Sequence, residues 1–315
     1  MPKKNIVSPI YAINSKSFFI KHKVSNLIPR KKSNGPFEVW KSILESDFDN
    51  SIKIVKSRKS TWPPAQSRVI IVGDFIDQIP EKLISNLAES QLLLGPNIDF
   101  KLKRNYQFVN SFRTKRILVP SQWVRSYLIE SIKLDEKIPV VWPSGVNVKY
   151  WRPNKRIVTK NIVLIYQKSE KYANLIADYC RVINNFGLTP IVFKYGMYKQ
   201  VDYKSWLEKS KFLVWFGGTE SQSMAQFQAW AMDVPTLILK VEKYSDGESS
   251  YSASSSPYLT TETGEFFESE LAAHYVINSW LDSLNDFSPR NWILKDHTLI
   301  HAKDRLEKIY ENFNH

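Results

Sequence analysis

Glu220 sits in a short stretch whose residue types could do chemistry, Gly217-Gly218-Thr219-Glu220-Ser221-Gln222-Ser223. Two glycines let backbone approach a ligand closely, and the free N–H groups of a helix start favour an anion such as phosphate. A carboxylate in the same turn would repel that phosphate unless it serves another part of the ligand. The hydroxyls of a sugar are such a part. Phosphate on the amides with a hydroxyl on Glu220 describes a nucleotide-sugar. The same residues also describe a plain capped crossover helix, for which Glu near the N-terminus is ordinary. Physics alone leaves both readings open.

The elements that must hold this turn are legible on either side of it. Phe212-Leu-Val-Trp-Phe216 is an apolar, β-rich run of the length of a buried strand. Thr219-Glu220-Ser221 supplies N-cap chemistry, and Met224, Phe227, Ala231 and Met232 recur at helical spacing. Asp233-Val234-Pro235 stops that helix, and a second apolar run, Thr236 to Leu239, follows. Strand, Gly-rich turn, helix and strand make a β-α-β unit of a parallel sheet. Further strands are expected at Asn5–Ile10, Ile52–Val55, Val69–Val72, Gln91–Leu94, Arg116–Pro120, Lys160–Tyr166 and Pro190–Phe193. Helices are expected at about Phe37–Leu44, Lys82–Ser90, Ser121–Leu134, Tyr172–Phe186 and Asp202–Ser210, and from Ser269 onward. The alternation predicts an α/β fold. Ligands of open α/β sheets bind outside the carboxyl ends of the strands, which makes Asp74 and the Gly95-Pro96-Asn97 turn cleft candidates.

The chain has 315 residues, 43% of them hydrophobic, enough for two cores of ordinary size. One cysteine, Cys180, excludes an intrachain disulfide and a cysteine metal cluster and fits a reducing compartment. No long apolar h-region opens the chain and no run approaches the roughly 20 residues of a membrane span, so a cytoplasmic protein is expected. The net charge of +13 is concentrated early, at Lys3-Lys4, Lys21 to Lys23, Arg30 to Lys32 and Lys53 to Lys59. It describes either a solvated face or an anionic partner, such as an acidic membrane surface met peripherally through the basic N-terminal face. No zinc finger, RNP-like motif or KH-type loop accompanies the charge, so nucleic acid is not expected. His297 and His301 at i, i+4 read as a solvated helix face or, failing a third ligand, an incomplete metal pair. Asp47-Phe-Asp49 reads as a loop. Tyr244 to Ser256 reads as a flexible serine-rich loop that could close over a cleft.

The run Glu220-Ser-Gln-Ser-Met-Ala-Gln-Phe-Gln228-Ala-Trp-Ala-Met-Asp-Val-Pro235 resembles the donor-site signature of family 4 retaining glycosyltransferases, which have the GT-B fold. Their pattern is Glu, seven residues, Glu, then Ala-x-Ala-x-Gly-x-Pro; Gln228 stands for the second Glu and Asp233 for the Gly. Val140 to Pro153 resembles the family's linker between domains, Arg116 to Arg125 its strand–Ser–x–Trp–Val segment, and Ser33-Asn34-Gly35-Pro36 its Gly-Gly-Pro-like loop. The resemblance implies two Rossmann-like domains facing across a cleft: residues 1–150 for the acceptor, 151–287 for the nucleotide-sugar, and 288–315 packing back on the first. It implies that Glu220 orients the donor sugar. Lys168, nearer the strand end than Lys171, with Ser221, Gln222 and Ser223 would hold the diphosphate, and Gly218 and Thr219 would also bind the donor. Gln228 would contact the ribose, and Tyr195-Gly196 would lie near the base. Asn34, Gly35, Asp74, Gly95 and Asn97 would face the acceptor, a glycan or lipid-linked molecule. The reaction implied is transfer from a UDP or GDP type donor with retention, needing no cofactor and no metal. A non-catalytic GT-B-like binding protein and a nucleotide-sugar epimerase or hydrolase are the alternatives.

Overall fold

The computed structural model describes residues 10–14, 35–46, 52–56, 63–71, 87, 90–96, 115–154, 161–247, 249–269 and 271–313. The chain falls into two compact units, one grouping 1–28, 39–143 and 302–315, the other 29–38 and 144–301.

The first unit is a six-stranded sheet in the order β2-β1-β3-β4-β5-β6 with all neighbours parallel. Its strands are β1 (Ile10–Asn14), β2 (Ile52–Lys56), β3 (Arg68–Ile71), β4 (Gln91–Leu94), β5 (Lys115–Val119) and β6 (Pro139–Val141). β1 covers Ile10–Asn14, with Ile10 to Ile13 paired on both sides and Asn14 with β2 alone; residues 5–9 of the expected first strand lie outside the described residues. β3 and β4 are fully buried or nearly so along their length, the continuous apolar run that a sheet covered on both faces requires. Helix α1 (Gly35–Glu45) follows β1, and α2 (Gln122–Ile132) packs Leu128 into the core formed by Val69, Leu92, Ile117 and Val119. The chain returns to this unit from Ala302, within helix α8 (Leu299–Glu311). Ala302, Leu306 and Tyr310 on one stripe of α8 are buried. The Ala302 carbonyl accepts from Trp142 Nε1 at 2.8 Å, and Arg68 pairs with Glu307.

The second unit is a five-stranded parallel sheet, β13-β10-β9-β7-β8. Its strands are β7 (Ile162–Gln167), β8 (Thr189–Lys194), β9 (Ser210–Phe216), β10 (Thr236–Leu239) and β13 (Gly264–Phe267). Helices α3 (Ala173–Asn185), α4 (Gln200–Lys209), α5 (Met224–Ala231), α6 (Ala273–Ser283) and α7 (Pro289–Asp296) accompany it. Every residue of α5 but Ala225 is buried, so it is a core helix, not an amphipathic one. Phe227 packs edge-on to Trp292 and Tyr258, and Trp230 donates its indole N–H to Thr236 Oγ1 at 3.0 Å.

Ser144 to Trp151, expected as a linker, is stitched into this second unit. Val146 N–H donates to His297 O at 2.9 Å. Gly145 lies so close to the backbone of Thr298 and Leu299 that a Cβ would collide with it. Arg290 donates to the carbonyls of Val148 (3.4 Å), Trp151 (3.0 Å) and Ala231. Composition shows a Pro/Gly turn here; the fixation comes from residues about 140 to 150 positions away.

Candidate functional site

The strand order of the second unit reverses between β7 and β9, and open α/β sheets bind ligands outside the carboxyl ends at such a switch point. The first residue after β7 is Lys168, whose N–H donates to Phe216 O at 2.9 Å, at the end of β9. After β9 come Gly217, Gly218, Thr219 and Glu220. Lys168 Nζ meets Glu220 Oε1 at 2.6 Å. Glu220 is only 6% exposed, and burial raises its pKa while the Lys168 ammonium pulls it back down. Lys168 keeps 28% of its side chain exposed and lies 5.1 Å from the centre of the Tyr195 ring. Tyr195 is held there by its own N–H, which donates to Gln167 O at 2.9 Å, and Gly196 turns the chain at φ +72°. Lys171 lies over Tyr172 instead, so of the two lysines it is Lys168 that joins the carboxylate. Behind the pair, Tyr166 stacks on Trp215 at 4.1 Å and shares a 2.7 Å hydroxyl contact with Tyr198.

The turn after Glu220 differs from expectation in where the helix starts. The N-cap is Ser223, at φ +68°, and its side chain makes no capping bond. Thr219 to Ser221 are therefore loop, not cap. A left-handed serine costs roughly 1–2 kcal/mol, strain that persists only where surroundings impose it. Three contacts impose it. Glu220 N–H donates to Ser254 O at 2.8 Å, Ser223 O accepts from Gln226 N–H and Phe227 N–H, and Gln222 is bonded at both ends of its amide. Gln222 Oε1 accepts from Ser144 N–H at 2.9 Å and its Nε2 donates to Ser144 O at 2.7 Å. The Gln222 side chain, expected on the diphosphate, is thus committed to the protein. The Met224 and Ala225 N–H groups at the start of α5 have no intrahelical acceptor, as at any helix start. Gly218 has open space where a Cβ would stand, and at Gly217 a Cβ would strike the Trp215 indole.

Gln228, expected at the ribose, is 1% exposed, and its Oε1 has no donor among the described residues. Two positions away, Gln226 donates to Ser255 O at 3.1 Å and accepts from Ser256 Oγ at 2.9 Å. These bonds correct the flexible loop expected between Tyr244 and Ser256. The segment is a hairpin, β11 (Lys243–Ser245) and β12 (Ser250–Ser252), whose base is pinned by Ala253 N–H on Glu242 O and by Ser255 Oγ on Leu239 O. Ser254, Ser255 and Ser256, which sequence reasoning placed only in a loop, bond to Glu220 N–H and to Gln226. The period-2 pattern around Asp246-Gly247 is the signal that could have revealed the hairpin.

Among the acceptor candidates, Gly35 opens α1 and Gly95 follows β4 at φ +95° with its N–H on Ile71 O. Asn34, Asp74 and Asn97 lie outside the described residues, as do Asp47 to Asp49 and the early basic clusters through Lys32. His297 and His301 do not share a helix. His297 caps α7 and stacks on Trp292 at 4.0 Å, whereas His301 is on α8 with Nδ1 3.1 Å from Thr298 Oγ1. Among the described residues no group of His, Cys, Asp and Glu is arranged to hold a metal, and no helix is long and apolar enough to cross a membrane.

The sequence matches no protein-family model and no curated protein. Solved structures do match along almost the whole chain. A glycosyltransferase from Rickettsia africae aligns with TM-score 0.57 at 14% identity, over 97% of this chain and 98% of its own. Anabaena HepE in complex with UDP-glucose aligns with TM-score 0.58 at 7% identity, over 96% and 99%. AviGT4, a glycosyltransferase of avilamycin A biosynthesis, aligns with TM-score 0.57 at 10% identity, over 98% of each chain. The fold is GT-B, with two Rossmann-like units. At these identities the likeness concerns the fold alone; the chemistry has to come from the residues at the switch point.

Proposed function

We propose that this chain is a glycosyltransferase that moves a sugar from a nucleoside diphosphate to a glycan or lipid-linked acceptor, with retention and without a metal. The observation that carries the reading is the Lys168–Glu220 pair at the switch point of the second sheet, directly before the open amides of the α5 start. A buried charge pair contributes little to stability compared with apolar packing, so its place at a ligand crevice calls for a ligand. In this reading a donor diphosphate lies against the Lys168 ammonium and the backbone N–H groups of Ser221 to Ala225, with Gly218 and Thr219 lining its approach. Negative charge that develops on the departing diphosphate then meets preorganised donors. Glu220, held by Lys168, accepts from sugar hydroxyls. Tyr195 and Gly196 flank the base, and Gln228 Oε1 accepts from a ribose hydroxyl. The acceptor enters beside Gly35 and Gly95, with Asn34, Asp74 and Asn97 as its other expected contacts. A cytoplasmic protein with peripheral contact to an acidic membrane through its basic early segment suits a lipid-linked acceptor.

Solved structures of the same fold support this reading: HepE binds UDP-glucose in its crystal structure, and the Rickettsia africae protein and AviGT4 are glycosyltransferases. The test is release of nucleoside diphosphate from a panel of UDP- and GDP-sugars, with acceptor glycans, in EDTA. Turnover unchanged by EDTA and lost in Glu220→Gln supports the proposal; turnover only with added divalent metal removes the metal-independent mechanism.

A second reading, a non-catalytic binding protein of the same fold, is favoured by Gln228. An amide replaces the carboxylate of the resembled pattern and so gives a weaker hydrogen bond to ribose. Gln228→Glu separates the two: it should tighten nucleotide binding in a working enzyme and leave turnover at zero in a non-catalytic protein.

A further inference from the structure

Gln222 lies in the middle of the turn that the diphosphate would occupy, yet neither atom of its amide is available to a ligand. It is 3% exposed, and it exchanges two hydrogen bonds with the backbone of Ser144, 2.9 Å from Ser144 N–H and 2.7 Å to Ser144 O. This is the pattern by which one strand residue pairs with another, made here by a side chain. Ser144 cannot recede, because the next residue is a glycine packed on the backbone of Thr298 and Leu299, and Val146 N–H is bonded to His297 O. The turn itself is only two residues long, Ser221 and Gln222, between the buried Glu220 and the left-handed Ser223. Its two ends are fixed by Ser254 O and by the first turn of α5, and its middle is fixed by the Gln222 amide on Ser144.

We propose that Gln222 is a positioning residue that sets the backbone N–H groups of Ser221 to Ser223 for the diphosphate, using the Ser144–Gly145 segment as a fixed wall. The proposal rests on the donor-site reading above and adds to it that phosphate recognition depends on a side chain that never touches phosphate. Preorganised donors bind an anion without the cost of ordering them; loosened donors do not.

The specific signature is therefore selectivity for phosphate. The experiment is calorimetric titration of wild type, Gln222→Met and Gln222→Glu with UDP, GDP and the parent nucleosides, with thermal melts of each protein. Met keeps the volume and removes both bonds. Glu keeps the acceptor for Ser144 N–H and sets a carboxylate against Ser144 O. The expected result for a folded Gln222→Met is binding of the preferred diphosphate weakened about tenfold or more, with nucleoside binding unchanged. Gln222→Glu should weaken the diphosphate further. Equal diphosphate affinity in wild type and Gln222→Met overturns the proposal while leaving the donor site standing. So does parallel loss of diphosphate and nucleoside, which marks a general collapse of the site. A wild type that binds no nucleoside diphosphate removes both the proposal and the reading beneath it. If Gln222→Met does not fold, the comparison is made on Gln222→Glu, where retained diphosphate affinity overturns the proposal.

Discussion

The two ends of helix α5 are built from similar parts and put to different uses. Each carries a left-handed residue other than glycine, Ser223 at φ +68° and Asp233 at φ +59°. Each carries a charge drawn out of water, Glu220 at the start and Arg290 against the end. At the C-terminal end every such group has a protein partner. Arg290 donates to three backbone carbonyls, and Asp233 Oδ1 accepts from Arg290 N–H at 3.2 Å. At the N-terminal end the groups keep capacity in hand: Ser223 makes no side-chain cap and Lys168 stays partly open. The filled end is architecture. The unfilled end is where a ligand would complete the bonding.

The sharpest way to break this contrast is Glu220→Gln, which should lower turnover by about 10²–10³-fold and cost no stability at neutral pH. The sign follows from burial. A carboxyl whose folded pKa is raised takes up protons more readily when folded, so its charge costs stability once the pH rises through that raised pKa, and the cost is absent well below it. Glu220→Gln should therefore melt at or above the wild-type temperature at pH 7 and converge with it as the pH falls toward the ordinary carboxylate range. A lower melting temperature for Glu220→Gln at pH 7 would place Glu220 among the structural groups. At the opposite end, Arg290→Ala strips donors from three carbonyls. Denaturant unfolding should show a loss of about 3 kcal/mol, with nucleotide affinity falling only as the folded fraction falls. Smaller effects come from the two left-handed residues. Ser223→Gly and Asp233→Gly each remove the left-handed penalty. Ser223→Gly should change stability by less than about 1 kcal/mol and weaken nucleotide binding severalfold, because glycine loosens the turn. Asp233→Gly should also stay within about 1 kcal/mol, since relief offsets the lost bond to Arg290 N–H, and should leave binding unchanged. Equal binding losses in both variants would erase the distinction between the ends.

Local pattern made much of this legible. The buried runs β4, β7, β9 and β10 and the helix between β9 and β10 follow from periodicity, and Glu220 and Lys168 are each singled out by a motif or a strand end, though not their pairing. Strand order did not follow, because it is a property of pairings between distant segments, and with it the switch point that brings Lys168 to Glu220 across 52 positions. The resemblance places Gln222 on the ligand along with its sequence neighbours; its partner, Ser144, lies 78 positions away, so nothing local could reveal that its amide is spent. Asp233 shows the reverse case. It departs from the expected glycine, yet it keeps the left-handed turn that glycine would make and adds an acceptor for Arg290. The hairpin at Lys243 to Ser252 was hidden by serine-rich composition, which reads as a loop until the bonds from Gln226 are known.

The claim on which the rest depends is that Lys168 and Glu220 form a nucleoside-diphosphate site. Calorimetric titration of the wild type, Lys168→Met and Glu220→Gln with UDP, GDP, ADP and CMP in EDTA tests it most directly. Expected are micromolar binding of one diphosphate by wild type, binding weakened about tenfold or more in Lys168→Met, and little change for the bare nucleotide in Glu220→Gln, whose proposed ligand contact is the sugar. Binding of no nucleotide by a folded wild type, or equal binding by wild type and Lys168→Met, would contradict it.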